Sequence, residues 1–289
     1  MDKKVLKNYL TILVSRVIRD DFFGMASEMS YMIALGIFPF ITFIATIFGW
    51  LGKQNLIEKL IIFFQNFIPG DVVDLTKKVL EEVTLFGQDE LLATVGLIVT
   101  IALASNAIAV IIKGLNRAYD VVDNRSFLHT RFLSVLMVFA NALFTFICMN
   151  LVIFGKVILN YIFQYSIIEL HWIRFISIIR WPIAFLALYI MAGLNYYILP
   201  AVTGPEKVRR KSTTYGTLFF CTFWLLGSTI FSVYINHMNT YNRVYGTLGA
   251  FAILLVWLYY TSLIILIGGE INSTTYRRLL AQSMESQDS

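Results

Sequence analysis

The stretch LLATVGLIVTIALASNAIAVII, running from Leu91 to Ile112, contains no Asp, Glu, Lys or Arg. Wound into a helix at about 1.5 Å per residue, it is long enough to cross a hydrocarbon core of about 30 Å. Five further runs share the property: Met29 to Gly52, Phe132 to Gly155, Trp181 to Pro205, Ser212 to Asn242 and Val244 to Gly269. A soluble core helix seldom needs such a length. Six such runs in 289 residues predict an all-α, polytopic membrane protein with spans at about 29–52, 91–112, 132–155, 175–199, 212–235 and 245–269. Composition agrees: 58% of residues are hydrophobic and 14% charged, against about 45–50% and 25% in soluble domains. The spans and their connections consume the chain, so no separate soluble domain is expected. Cys148 and Cys221 both fall inside apolar runs and read as small hydrophobes rather than as a disulfide or metal pair.

The charges outside the runs predict sidedness. The N-terminal segment carries Lys3, Lys4, Lys7, Arg16 and Arg19, the second connection Lys113, Arg117, Arg125 and Arg131, the fourth Lys207, Arg209, Arg210 and Lys211, and the C-terminus Arg277 and Arg278. That makes 15 basic residues on one side against 7 on the other, with Arg180 left inside the fourth span. Positive-inside bias therefore places both termini in the cytoplasm of a multi-pass protein in a bacterial inner membrane. The formal net charge of +5 reflects this sidedness rather than a nucleic-acid partner.

Three segments lie outside the six spans, which together form a domain over residues 25–280. Residues 1–24 are not a signal peptide, because Arg16 and Arg19 interrupt any apolar core. Val5, Leu6, Tyr9, Leu10, Leu13, Val14, Val17 and Ile18 recur instead at helical spacing, with Lys3, Lys4, Lys7, Asn8, Thr11, Ser15 and Arg16 opposite. This pattern predicts an amphipathic helix in the cytoplasmic headgroup layer, either a lipid sensor or a plain lead-in helix. The connection 53–90 shows two apolar stripes parted by Pro69-Gly70 and predicts a two-helix external cap. Residues 281–289 are expected to form a disordered cytoplasmic tail.

Specific residues carry a family resemblance. Ala26 to Pro39 reads ASEMSYMIALGIFP and leads into the first span. Leu115-Asn-Arg-Ala-Tyr119 follows the second span, with Arg125-Ser-Phe-Leu128 after it, and the last span holds Tyr245-Gly-Thr-Leu-Gly-Ala250, Trp257-Leu-Tyr259 and Gly269-Glu-Ile-Asn272. In this order and spacing the segments resemble the YihY/BrkB family of bacterial inner-membrane proteins, once labelled ribonuclease BN-like, over roughly residues 10 to 280. The resemblance implies a six-helix inner-membrane protein of a family linked to virulence, serum resistance and envelope lipid export. It carries over no catalytic residue. The first motif departs from the pattern, with Glu28-Met-Ser-Tyr31 where a stretch of the Ala-Tyr-Tyr type is commoner.

Polar groups at membrane depth are costly and are the candidates for function. Arg180 either snorkels to the external interface beside Trp172 and Trp181 or faces inward to a substrate. Glu270 closes the final apolar run at a helix end where the dipole disfavours a carboxylate without a cation nearby. A Glu270–Arg117 pair is expected, and proton coupling is the sharper reading. Glu28 invites the same question near the start of span one. Asn106, Asn141 and Asn195 either line a polar path or form interhelical hydrogen bonds, and Asn116 and Asn272 join them as candidates from the motifs. Pro39 is expected to bend span one, while Gly96, Gly246 and Gly249 favour close helix packing.

The expected function is ATP-independent transport or flipping of an envelope lipid or other amphiphile. The alternative is a non-transporting scaffold for envelope assembly. Expected partners are membrane lipids and, for the scaffold, envelope proteins; no cofactor, metal or nucleic acid is expected, and the oligomeric state is not read. His129, His171 and His237 show no clustered ligand spacing, and no phosphate-binding loop or Cys-x-x-Cys is present. A ribonuclease or other enzyme is therefore disfavoured.

Overall fold

The computed structural model describes residues 3–50, 90–149, 170–237 and 239–285. Among them are seven helices and no strand: α1 Lys3–Arg19, α2 Phe22–Trp50, α3 Glu90–Tyr119, α4 Phe127–Met149, α5 Leu170–Ile198, α6 Glu206–His237 and α7 Asn239–Glu285. Four of them hold windows long and apolar enough to cross a membrane: Thr94–Tyr119, Phe127–Thr145, Glu206–Phe231 and Phe251–Glu285. Shorter apolar helices occupy Phe22–Ile37 and Pro182–Ile198. The external cap expected over 53–90 lies outside the described residues except for Glu90, which opens α3.

These helices bury little of themselves. Only 11–39% of each span window is buried, and Val95, Ile98, Leu136, Phe139, Leu218 and Ile230 are exposed. Apolar surface on this scale is untenable in water and suits a hydrocarbon solvent.

Several helices outrun the charge-free runs. α3 continues past Ile112 to Tyr119 and so carries Lys113, Asn116 and Arg117 in its last turns. α6 starts at Glu206 rather than 212, placing the basic stretch 207–211 in its first turns. α7 runs through the residues expected to start a tail and ends at Glu285. At about 1.5 Å per residue it is roughly 70 Å long, more than twice a bilayer core. α1 ends at Arg19, and α2 begins at Phe22, ahead of the predicted start of span one. α2 remains helical on both sides of Pro39.

Two of these helix ends are turned by aspartates. Asp21 and Asp120 hold φ of 55° and 54°, a left-handed conformation that Asp tolerates better than most residues. At Asp120 the turn is a Schellman closure: Asp120 N–H donates to the Arg117 carbonyl and Val121 N–H to the Asn116 carbonyl, each at 3.0 Å. The chain then reverses into the α3–α4 loop, and Ser126 caps α4 by accepting the His129 N–H at 3.3 Å.

The chain divides into two compact units. One contains residues 22–110 and 225–263. Within it Gly36 of α2 faces Leu103 of α3, and Gly227 of α6 lies against the Tyr260 ring of α7. The hydroxyls of Ser228, Thr261 and Ser262 are buried there without a hydrogen-bond partner among the described residues. The other unit contains residues 1–21, 111–224 and 264–289. Its centre is the stretch of α7 from Ile264 to Arg277. Leu115 of α3 packs on Gly269, Tyr196 of α5 on Gly268, and the α6 backbone at Gly216 on the α7 backbone at Gly268. Tyr196 Oη also donates to the Ile265 carbonyl at 2.8 Å.

Candidate functional site

Among the described residues, the second unit joins charges of α1, α7 and the α3–α4 loop in ion pairs. Glu270, on α7, is completely buried, and its Oε1 accepts from Arg16 of α1 at 3.1 Å and from the Thr274 hydroxyl at 3.3 Å. Its Oε2 has no partner among the described residues. The expected pairing with Arg117 is therefore corrected. Arg16 holds the carboxylate, while Arg117 donates to the Asp20 carbonyl at 3.2 Å, where α1 turns into α2. A helical period places Arg16 on the polar face of α1, but it does not reveal a carboxylate 254 residues away.

Around this pair, α1, α3 and α7 are tied through Asp120. Its carboxylate accepts from Arg19 at 3.2 Å and from Arg277 at 2.8 Å. Arg277 and Ser273 both donate to the Ala118 carbonyl near the end of α3. Tyr119 meets Tyr276 edge-on, with centroids 5.8 Å apart, an arrangement the ring quadrupoles favour. Asn272, also fully buried, accepts the Gly216 N–H of α6 at 2.6 Å, and its Nδ2 has no partner among the described residues.

Asn116 ties together two loops of this unit, α3–α4 (residues 120–126) and α5–α6 (199–205). Its Nδ2 donates to Asp123 at 2.9 Å and its Oδ1 accepts the Ala201 N–H at 2.7 Å. Arg125 completes the tie, bonding both Asp123 oxygens at 2.8 and 2.7 Å and the Leu199 carbonyl at 2.8 Å. Between the loops lies a cleft of about 560 Å³, walled by Val121, Val122, Asn124 and Arg125 on one side and Pro200, Ala201, Val202 and Thr203 on the other. A separate void of about 10 Å³ among Tyr119, Tyr196 and Arg209 has room for about one water.

Asp123 gives this tie a pH signature. The Arg125 side-chain bonds hold the Asp123 carboxyl below the ordinary range against the opposing effect of burial. Such a carboxyl stabilises the fold fully above its unfolded pKa of about 3.9, and that contribution is lost as pH falls through the lower folded value. Thermal stability of the purified protein should therefore drop below about pH 4. Asp123→Asn should flatten that limb of the profile, as read by fluorescence melts.

The other candidates fall elsewhere. Asn141 of α4 and Asn195 of α5 bond each other reciprocally at 3.1 and 2.7 Å, and Asn195 also donates to the Met191 carbonyl. Glu28 is exposed on α2, and Asn106 is half-buried on α3. Gly96 and Gly249 are buried. Arg180 and Gly246 lie on helices α5 and α7, with their side-chain surroundings outside the described residues. Sequence reasoning missed Arg16 as a partner for Glu270, the Asp120 and Asp123 ties, and the close approach at Gly216 and Gly268. The Gly268-Gly269 doublet in an apolar run was the available signal for the last. Among the described residues, no group of three or more His, Cys, Asp or Glu is placed to hold a metal ion.

The motif residues Leu115 to Tyr119, Arg125, and Gly269 to Asn272 thus converge in one unit. Comparison with known proteins identifies the family. A family model described as Virulence factor BrkB matches residues 13–289. The chain is similar to the ribonuclease-like protein YfkH of Bacillus subtilis, at 27% identity over 271 residues covering 94% of this chain and 96% of the relative. It is also similar to a UPF0761 membrane protein of Psychromonas ingrahamii, at 25% identity with 95% and 90% covered, and to one of Haemophilus influenzae, at 22% with 93% and 95% covered. No solved structure matches. With a family match over nearly its whole length and several apolar helices long enough to cross a bilayer, the chain is an integral membrane protein of the BrkB family.

Proposed function

We propose that the protein is a six-span inner-membrane protein with both termini in the cytoplasm, and that it moves an envelope lipid or other amphiphile across the bilayer without ATP. The observation that carries transport is Glu270: a fully buried carboxylate on a membrane helix, with one oxygen held by Arg16 and the other unpartnered among the described residues. An ionisable group retained at such a position is expensive, and membrane proteins generally keep one for a substrate or ion path. Positive-inside bias supports a cytoplasmic side for the α3–α4 and α5–α6 loops of the unit that holds it, because residues 113–131 and 207–211 supply eight of the basic residues.

Purified protein in liposomes should accelerate flipping of a fluorescent phospholipid, and Glu270→Gln should slow it several-fold while the protein remains folded. Failure to accelerate flipping of both anionic and zwitterionic lipids would overturn transport. A scaffold for envelope assembly is the second reading. The reciprocal Asn141–Asn195 pair favours it, because two amides that satisfy each other serve helix association without a substrate. In that case activity in cells should survive Glu270→Gln. A ribonuclease, suggested by the name of the Bacillus relative, finds less support: His129, His171 and His237 show no clustered spacing of metal ligands or acid–base partners.

A further inference from the structure

The cleft between the α3–α4 and α5–α6 loops is built like a small-ligand site, and we infer that it binds the phosphate group of an anionic amphiphile. The inference goes beyond transport and stands whether or not the protein moves lipid. The cleft volume of about 560 Å³ lies in the range of about 300–1,000 Å³ occupied by small-molecule pockets. Its walls are held apart by bonds that do not depend on a ligand. Asn116 joins Asp123 to Ala201, and Arg125 joins Asp123 to Leu199. A preformed cleft of this kind saves a ligand the cost of ordering two loops.

The chemistry of the walls selects the ligand. Arg125 lines the cleft with part of its guanidinium unspent: Nε and Nη2 are bonded to Asp123 and Leu199, while Nη1 makes no bond among the described residues. The two Nη1 hydrogens can donate charge-assisted bonds to phosphate oxygens. Asp123 partly offsets the charge of Arg125, but its oxygens are occupied by Asn116 and Arg125, and it is not part of the cleft wall. The surrounding field is positive, because residues 113–131 and 199–211 hold eight Lys and Arg against three acids. The rest of the lining is chiefly apolar, and Val122 is 81% exposed, with Phe127 and Leu128, nearby in sequence, at 80% and 78%. A phosphate bearing an acyl chain can therefore place its charge at Arg125 and its chain along Val122.

Calorimetric titration of the full-length protein in detergent tests this with three probes: dihexanoyl phosphatidylglycerol, dihexanoyl phosphatidylcholine and inorganic phosphate. The phosphatidylglycerol should bind saturably and at least about tenfold more tightly than the phosphatidylcholine. Asn124→Asp adds a negative charge to the exposed wall without touching the Asn116 and Arg125 ties, and should weaken phosphatidylglycerol binding about tenfold. Val122→Trp should reduce it by filling the rim. If inorganic phosphate competes fully, the ligand is a free phosphate compound; if it competes weakly, the acyl chain contributes and the ligand is a lipid. Equal binding of the two lipids, or phosphatidylglycerol binding unchanged by both substitutions in protein with unaltered melting, would overturn the assignment.

Discussion

Arg16→Ala should lower the unfolding free energy of the detergent-solubilised protein by about 3 kcal/mol, the lower part of the range for breaking a buried ion pair. Glu270 is fully buried while Arg16 is 22% exposed, which places the effect at that end of the range. Without Arg16, Glu270 Oε1 retains only the Thr274 hydroxyl and Oε2 still has no partner among the described residues. The carboxylate must then remain charged without compensation or take up a proton, and either outcome costs folding free energy. Arg16→Met combined with Glu270→Leu removes both charges and should recover most of the loss, because the desolvation of each ion disappears with it. Arg19→Ala is the control. That side chain is 54% exposed on Asp20 and Asp120, so its loss should cost no more than about 1 kcal/mol. Chemical unfolding followed by tryptophan fluorescence separates the two, and equal costs would show that the Glu270 pair does not anchor α1.

The same pair marks the boundary of what sequence alone could show. The charge-free runs disclosed the membrane helices because length and apolarity are local properties, readable without knowing what a helix touches. They understated the helices at their charged ends. α3 keeps winding through Lys113, Asn116 and Arg117, and α6 begins among the basic residues at 206–211, because charge stops a helix from being buried in lipid without stopping it from being a helix. The motif residues were visible as a family pattern, yet their roles depend on contacts between distant segments. Asn116 reaches Ala201, 85 positions away, and Asp120 collects Arg19 and Arg277 from the two ends of the chain. No hydrophobic period encodes such choices. The αL turns show the same limit: glycine is the usual signal for a left-handed helix end, and here Asp21 and Asp120 perform it.

Gly216→Ala is the substitution expected to do the most damage in the packing of α6 on α7. A Cβ on residue 216 would land on the Gly268 carbonyl oxygen, a backbone atom that cannot rotate aside, and close to the Asn272 side chain. Overpacking of this kind costs about 1–3 kcal/mol. Pushing the helices apart would also strain the 2.6 Å bond from the Gly216 N–H to Asn272, whose amide is fully buried and already lacks a partner for Nδ2 among the described residues. Stranding that carbonyl adds about 1–3 kcal/mol, against which alanine's better helix propensity returns about 1 kcal/mol. The net loss should be about 3 kcal/mol. Gly193→Ala supplies the contrast in the same unit. Its Cβ would sit 3.7 Å from Thr217 Oγ1, an ordinary contact, so only the propensity gain remains and the protein should be unchanged or slightly more stable. Parallel melts of the two variants in one detergent decide the matter. If Gly216→Ala melts with Gly193→Ala, then α6 and α7 do not approach backbone to backbone, and Asn272 must be held by something other than the Gly216 amide.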